Sequence, residues 1–237
     1  MKRLDKLLSD AGVAGRRELK QMIRQGRVQV DGRTVTVPEE KFDEKTAVVT
    51  VDGGTISTVG TYYYMMDKPA GVVTATEDRT EPTVLDLLPA AVRRQGVFPV
   101  GRLDKDTTGL LLLTNDGDFA HQVISPKSCI EKCYVAKVDG IPDDGDVQAF
   151  REGIELKDGT VCLPAVLEID GTDTCRVIVR EGKYHQVKRM LASRGKTVMT
   201  LRRVSVGGLL LDENLSPGCI RPLSQEERQL TLVKMPL

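Results

Sequence analysis

Leu4, Leu7, Leu8 and Ala11 recur at the spacing of a helix with one buried face, and Gly12 ends that run. A second helix is predicted from Arg16 to about Gln25. Leu19, Met22 and Ile23 fill one sector of its wheel. Arg16, Arg17, Lys20, Arg24 and Arg27 fill the neighbouring sector, with no acid between them. Next comes RVQVDGRTVTV, two alternating runs about Asp31-Gly32, a hairpin pattern. The stretch VDGGTISTVG (51–60) has no period and reads as a connection.

From Tyr62 onward the pattern changes to short strands: TYYYMMD, GVVTAT, GLLLLTND, KCYVAKV, CRVIVR and TLRRVSV. Helices are predicted near TVLDLLP, FAHQVI and KYHQVKRMLASRG. Strands adjoin without regular helical crossovers. That predicts an α+β fold: a small helix–helix–hairpin module, then a larger domain on a mixed, mainly antiparallel sheet. The expected domains are residues 1–58 and 59–237.

Composition adds little until charge is mapped. Lys and Arg number 34 and so do Asp and Glu, giving zero net charge. Residues 1–37 nevertheless hold nine basic and four acidic side chains, a balance of +5. Residues 176–203 hold nine basic side chains and only Glu181, a balance of +8, so the remainder carries −13. Two basic zones are the signature of a polyanion partner despite the neutral total. The five scattered cysteines form no CxxC pair, and His121 and His185 lie far apart. Free thiols in a reducing cytoplasm are expected, with no disulfide framework and no metal site. No apolar run is long enough for a bilayer, and charges interrupt the N-terminus, so neither a membrane partner nor a signal peptide is expected. A monomer is the default.

The chemistry concentrates in VGRLDKDTTGLLLLTNDGDF (100–119). Leu110 to Leu113 read as a strand buried on both faces, so Asp104 lies on the loop entering rigid structure. By composition alone, Arg102, Asp104 and Asp106 are loop residues that pair with one another or cap a helix. A hydrolase using Asp104 and Asp106 is a weak alternative, because two loop residues so close in sequence need not face each other across a scissile bond. In KCYVAKV, alternation places Tyr134 with Ala136 and Val138 on one face. Tyr62, Tyr63 and Tyr64 read as strand packing. Periodicity over 184–195 puts Val187, Met190 and Leu191 on the packed face. Lys188 borders that face and Arg189 points further round, but spacing leaves both available. His121 and His185 have no carboxylate partner visible in the sequence.

The string GRLDKDTTGLLLLTNDG resembles the signature of the pseudouridine synthases that modify ribosomal RNA. KPAG (68–71), EKCY (131–134), EGKYHQVKRM (181–190) and LRRVSVGGLLL (201–211) match further family blocks in order. The first fifth of the chain, through RLDKLLSDAGV and GRRELKQMIRQGRVQVDG, resembles an S4 RNA-binding domain. Gly15 stands there where a capping serine is usual. The resemblance implies isomerisation of a uridine in rRNA, without cofactor or metal. The blocks ISPKSCIEKCY and EGKYHQVKRM are most similar to the branch acting on uridine 516 of 16S rRNA. A sister activity on 23S rRNA and a non-catalytic RNA-binding assembly protein are the alternatives. By resemblance Asp104 is the nucleophile, Tyr134 packs on the uracil, and Lys188 keeps Asp104 charged. Arg102 displaces the base or contacts RNA. Arg16, Arg17, Lys20, Arg24, Arg27 and Arg189 contact RNA. Whether Asp104 attacks C1′ or C6, or removes a ribose proton to give a glycal, stays open.

Overall fold

In the computed structural model, residues 1–44, 46–56 and 60–234 are described. The chain divides into two compact units. One comprises 1–62 with 88–98 and 114–116; the other comprises 63–87, 99–113 and 117–237.

The first unit begins with helices Leu4–Asp10 and Arg16–Arg24. The second helix starts at Gly15, which offers no side-chain cap. Their apolar faces meet a four-stranded antiparallel sheet ordered Arg33–Thr34, Val28–Val30, Val49–Val51, Gly54–Ile56. Leu4, Leu8, Leu19, Ile23, Val28 and Val49 are fully buried between them. Asp31 and Gly32 both take positive φ, 51° and 79°, the primed turn that matches strand twist. Asp52 and Gly53 repeat it at 50° and 81°. The stretch 51–60, read as a connection, is thus largely a second hairpin, because Asp-Gly supplies a turn that its Ser and Thr content hid. The expected boundary after residue 58 falls on 57–59, outside the described residues.

The second unit is built on a nine-stranded sheet. Seven strands run in the order Val166–Ile169, Thr174–Val179, Lys132–Asp139, Thr197–Val206, Thr108–Thr114, Tyr63–Lys68, Ile220–Pro222; Leu209–Leu210 pairs with Thr197–Val206 and Phe98–Pro99 with Thr108–Thr114 off that path. Antiparallel pairs dominate, and Thr197–Val206 runs parallel to Thr108–Thr114. Leu110 to Leu113 are at most 1% exposed, as four consecutive leucines require when both faces are covered. Helix Gln186–Ser193 lays Val187, Met190 and Leu191 onto a core with Ala136, Val138, Cys175, Val177 and Phe150.

Two predicted elements are absent. GVVTAT is irregular, with one bridge from Val73 to Thr83. Gly71 turns the chain at φ +90°, and Thr74 spends its hydroxyl on the backbone of Leu103. TVLDLLP is a turn rather than a helix, and within it the Asp86 carboxylate accepts from both the N–H and the hydroxyl of Thr83. The helix begins later, at Ala90–Arg94. Two further helices, Asp144–Glu152 and Gln225–Thr231, lie outside the periodic stretches, and each opens on a capping box, Asp143 with Asp146 and Ser224 with Glu227.

The loop before the leucine strand is held by its own backbone. Lys68, fully buried, donates to the carbonyls of Pro69, Lys105 and Thr107 at 3.0, 3.3 and 2.9 Å. The Gly71 N–H donates to Lys105 O at 2.8 Å. The Thr74 hydroxyl donates to Leu103 O at 2.7 Å and accepts from the Leu103 N–H at 3.2 Å. Residues 103 to 107 are therefore fixed on both sides of Asp104. At the start of the strand, Gly109 lies opposite Arg203 with φ +99°. A Cβ there would stand 2.2 Å from Arg203 O.

Two stability measurements test this arrangement. Lys68→Met strips donors from three carbonyls and should lower unfolding free energy by about 1–3 kcal/mol in urea titration. Gly109→Ala must push two strands apart and should cost roughly 2–4 kcal/mol. An unchanged midpoint for either would contradict the stated contacts.

Candidate active site

Asp104 emerges from the clamped loop with its side chain 29% exposed. The Lys188 ammonium lies 3.1 Å from its Oδ2, and His185 Nε2 lies 3.5 Å from its Oδ1. Lys188 stands in the first turn of helix Gln186–Ser193. His185 is the residue before that helix, in the left-handed region at φ 48°. Gln186 fastens the entry to the helix: its amide donates to Glu181 at 2.9 Å and its carbonyl accepts from the Lys183 N–H at 2.9 Å. The structure thus supplies the carboxylate partner of His185 that the sequence did not disclose.

Lys188 has a second acid, Asp106 Oδ1 at 2.5 Å. Burial works against the Lys188 charge, but hydrogen bonds to Asp106 and Asp104 outweigh it and hold the ammonium above its ordinary range. The same hydrogen bond keeps the Asp106 carboxyl below its usual range against partial burial. Burial pushes Lys68 down to about 8, with the attraction of Asp106 and Asp104 opposing. Of the two neighbouring cations, Lys188 reaches Asp104 and Arg189 turns to other partners. Arg189 pairs with Asp158 at 2.5 Å and donates to Tyr184 O.

Beside Asp104 opens a cavity of about 850 Å³. Asp104, Arg102, Tyr134, Lys132, His185 and Arg203 are among the residues that line it; Lys188 stands behind Asp104. Tyr134 and Arg203 are direct cross-strand partners, with Arg203 Nη1 3.5 Å from the phenol oxygen. Arg203 also donates from Nε to Leu110 O at 2.8 Å. Arg102 is exposed at the mouth and forms no ion pair among the described residues. Tyr184, 76% exposed, stacks on His185 at 3.9 Å between ring centroids. Lys68, Lys132, Arg203 and Tyr184 sit inside the motifs KPAG, EKCY, LRRVSVGGLLL and EGKYHQVKRM, where no local pattern marks them as site residues. A carboxylate and a phenol lining one cavity large enough for a nucleotide suit covalent or proton-transfer chemistry.

The basic zones look different in three dimensions. Arg16, Arg17 and Lys20 line a second concavity of about 540 Å³ together with Arg3, Asp5 and Lys6, inside the first unit. Arg16, Arg17 and Arg24 form no ion pair among the described residues. Lys20 approaches Glu39 at 3.5 Å and Arg27 pairs with Asp52 at 2.5 Å, so the acid-free stripe is shorter than the wheel suggested. In the 176–203 zone, eight of the nine cations have a carboxylate within 4.0 Å. Arg203 is the exception among the described residues. Asp146 serves both Arg194 and Lys196, and all the balancing acids but Glu181 come from outside the zone, which is why the +8 reading overstated its free charge.

Comparison with known proteins fits this geometry. The RNA pseudouridylate synthase family model matches residues 62–193, and the S4 domain model matches residues 2–48. An RNA pseudouridine synthase of Bacillus subtilis is 41% identical over 232 residues, covering 96% of this chain and 97% of that protein. Ribosomal small subunit pseudouridine synthase A of Vibrio cholerae is 44% identical, covering 95% and 97%. A pseudouridylate synthase crystal structure superposes with a TM-score of 0.70 at 33% identity, covering 98% of this chain and all of the other. With a matching family model over more than half its length and relatives aligned nearly end to end, the chain belongs to the RNA pseudouridine synthase family and carries an N-terminal S4 domain.

Proposed function

We propose that this enzyme converts uridine 516 of 16S rRNA to pseudouridine, with Asp104 as nucleophile, Tyr134 against the base and Lys188 sustaining the carboxylate charge. The observation that carries the reading is the ammonium of Lys188 at 3.1 Å from Asp104 at the edge of a nucleotide-sized cavity. Relatives named for the ribosomal small subunit, from Vibrio cholerae and Yersinia pestis, support the choice of subunit. A large-subunit target is the second reading, since it would call on the same Asp104, Tyr134 and Lys188.

The reaction breaks the C1′–N1 bond, turns the uracil and joins C5 to C1′. A carboxylate beside the sugar serves any of the three routes open to it: attack at C1′, attack at C6, or removal of a ribose proton. The base must first leave its stack, which costs a few kcal/mol. Arg102 at the cavity mouth is placed to occupy the vacated space or to hold a flanking phosphate. Residues 1–58 act as the anchor, in which Arg16, Arg17 and Arg24 meet phosphates while RNA shape and the unstacked base give selectivity. Lys20, Arg27 and Arg189 join them only by exchanging a carboxylate for a phosphate. The enzyme works as a monomer in the cytoplasm on rRNA or an assembly intermediate.

Asp104→Asn should abolish tritium release from C5-labelled RNA while RNA affinity persists; retained turnover would remove Asp104 from the mechanism. Replacing Arg16 and Arg17 together by Ala should flatten the salt dependence of RNA binding by about 1.5 logarithmic units per decade. An unchanged slope would make the stripe an ordinary solvated face. Mapping pseudouridine in rRNA from cells with and without the gene should show loss at position 516 of 16S rRNA alone. Loss in 23S rRNA instead would transfer the assignment to the large subunit.

A further inference from the structure

Two buried cations of the cavity lining form no ion pair among the described residues. Lys132 is 9% exposed and Arg203 is 4% exposed, and both line the space that holds Asp104 and Tyr134. The Lys132 ammonium makes one hydrogen bond among the described residues, to Ile130 O at 2.9 Å, which leaves two N–H donors. Arg203 bonds to Leu110 O and the Tyr134 phenol, not to a carboxylate. The nearest acid in sequence, Glu131, is engaged by Arg180 at 2.9 Å. Burying a charge without an ion-pair partner is costly, and a fold that retains one has a use for it.

Register places the pair on the floor of the cavity. Lys132 and Tyr134 are two apart on strand Lys132–Asp139 and so share a face. Tyr134 and Arg203 are cross-strand partners, which adds the guanidinium to that same face. Burial and the neighbouring Arg203 charge push the Lys132 ammonium down to about 8, with Glu131 opposing. Lys188 is different in kind, because Asp104 and Asp106 already balance it.

We propose that Lys132, backed by Arg203, is a further catalytic residue whose ammonium donates a hydrogen bond to the uracil as it departs and while it turns. This rests on the reading of the protein as a pseudouridine synthase. When the C1′–N1 bond breaks, its electron pair stays with the base and spreads over N1 and the two carbonyl oxygens. That charge is greatest in the detached base, so a fixed buried cation stabilises it more than the bound uridine. When C5 bonds to C1′, the pair is used; C5 then loses its proton and N1 gains one. Lys132 keeps all its protons, and the reaction stays a net isomerisation.

The test uses the full-length protein and 16S rRNA transcripts made with uridine or with 5-fluorouridine. Conversion of the target to its C-glycoside is followed under single turnover by nuclease digestion and chromatography; the fluorinated base has no C5 proton to lose, so its C-glycoside keeps the fluorine, takes up solvent water at C6 and is counted as that hydrate. Fluorine withdraws electrons and makes the base a better leaving group, so it needs less help from a cation. Lys132→Met should lower the rate on uridine RNA by about 100-fold, the scale for losing one preorganised donor. The loss on fluorinated RNA should be about tenfold smaller, and Lys132→Arg should restore part of the uridine rate. Partial misfolding would lower both rates alike, so the ratio reads chemistry rather than stability. Equal losses on both RNAs, or a change confined to RNA affinity, would overturn the proposal and leave Lys132 a structural or phosphate contact. Failure of the wild-type protein to convert any rRNA would remove the synthase reading, and this inference with it.

Discussion

One ammonium shared by two carboxylates organises the site. Lys188 lies 3.1 Å from Asp104 and 2.5 Å from Asp106, on an element far along the chain from both. The two contacts are unequal. The Asp106 side chain is 75% exposed and the Asp104 side chain 29%. Water screens the first pair, so it contributes about 0–1 kcal/mol despite its short distance. The second is less hydrated, and a base entering the cavity would dehydrate it further. The field of Lys188 then falls mainly on Asp104. Both carboxylates hold the Lys188 ammonium above its ordinary range.

That pairing needs Asp104 to arrive at the right place, and Lys68 secures it. The two lysines do opposite things with the same functional group. Lys188 faces carboxylates and its charge is reinforced against burial. Lys68 faces carbonyl dipoles, and burial drives it down to about 8. A charge on Lys68 is tolerated because each carbonyl accepts one of its three protons, which aligns the loop as a template would. The parallel contact at Gly109 then fixes the distance from this loop to the strand carrying Arg203.

Much of this was legible in the chain, for reasons that also mark the limits. The leucine strand, helix Gln186–Ser193 and the first hairpin obey simple periods, and a period survives in one dimension. GVVTAT and TVLDLLP look periodic too, but Thr74, Thr83 and Asp86 spend side chains on backbone, and that competition has no periodicity. Within the site, Asp104, Tyr134 and Lys188 came from motif strings. The partnership of His185 with Asp104, and the lack of an ion-pair partner for Lys132 among the described residues, are settled by residues distant in sequence. No local pattern contains them.

Charge is where one-dimensional counting fails most clearly. A net balance of zero and two basic zones were both correct counts, yet eight cations of the second zone already face carboxylates. Exposed pairs such as Arg176 with Asp170 cost little to break, so a phosphate can replace the acid. Buried acids are another matter: Asp146 is 1% exposed and Asp67 2%, and releasing Arg194 or Arg202 from them strands a charge in the interior. The zone therefore contains two populations. Cations paired at the surface remain available to RNA, while those paired to buried acids hold the sheet and its flanking helices together. Arg203 belongs to neither: it is buried, lines the cavity and, unlike Lys183 at the same cavity, forms no ion pair among the described residues.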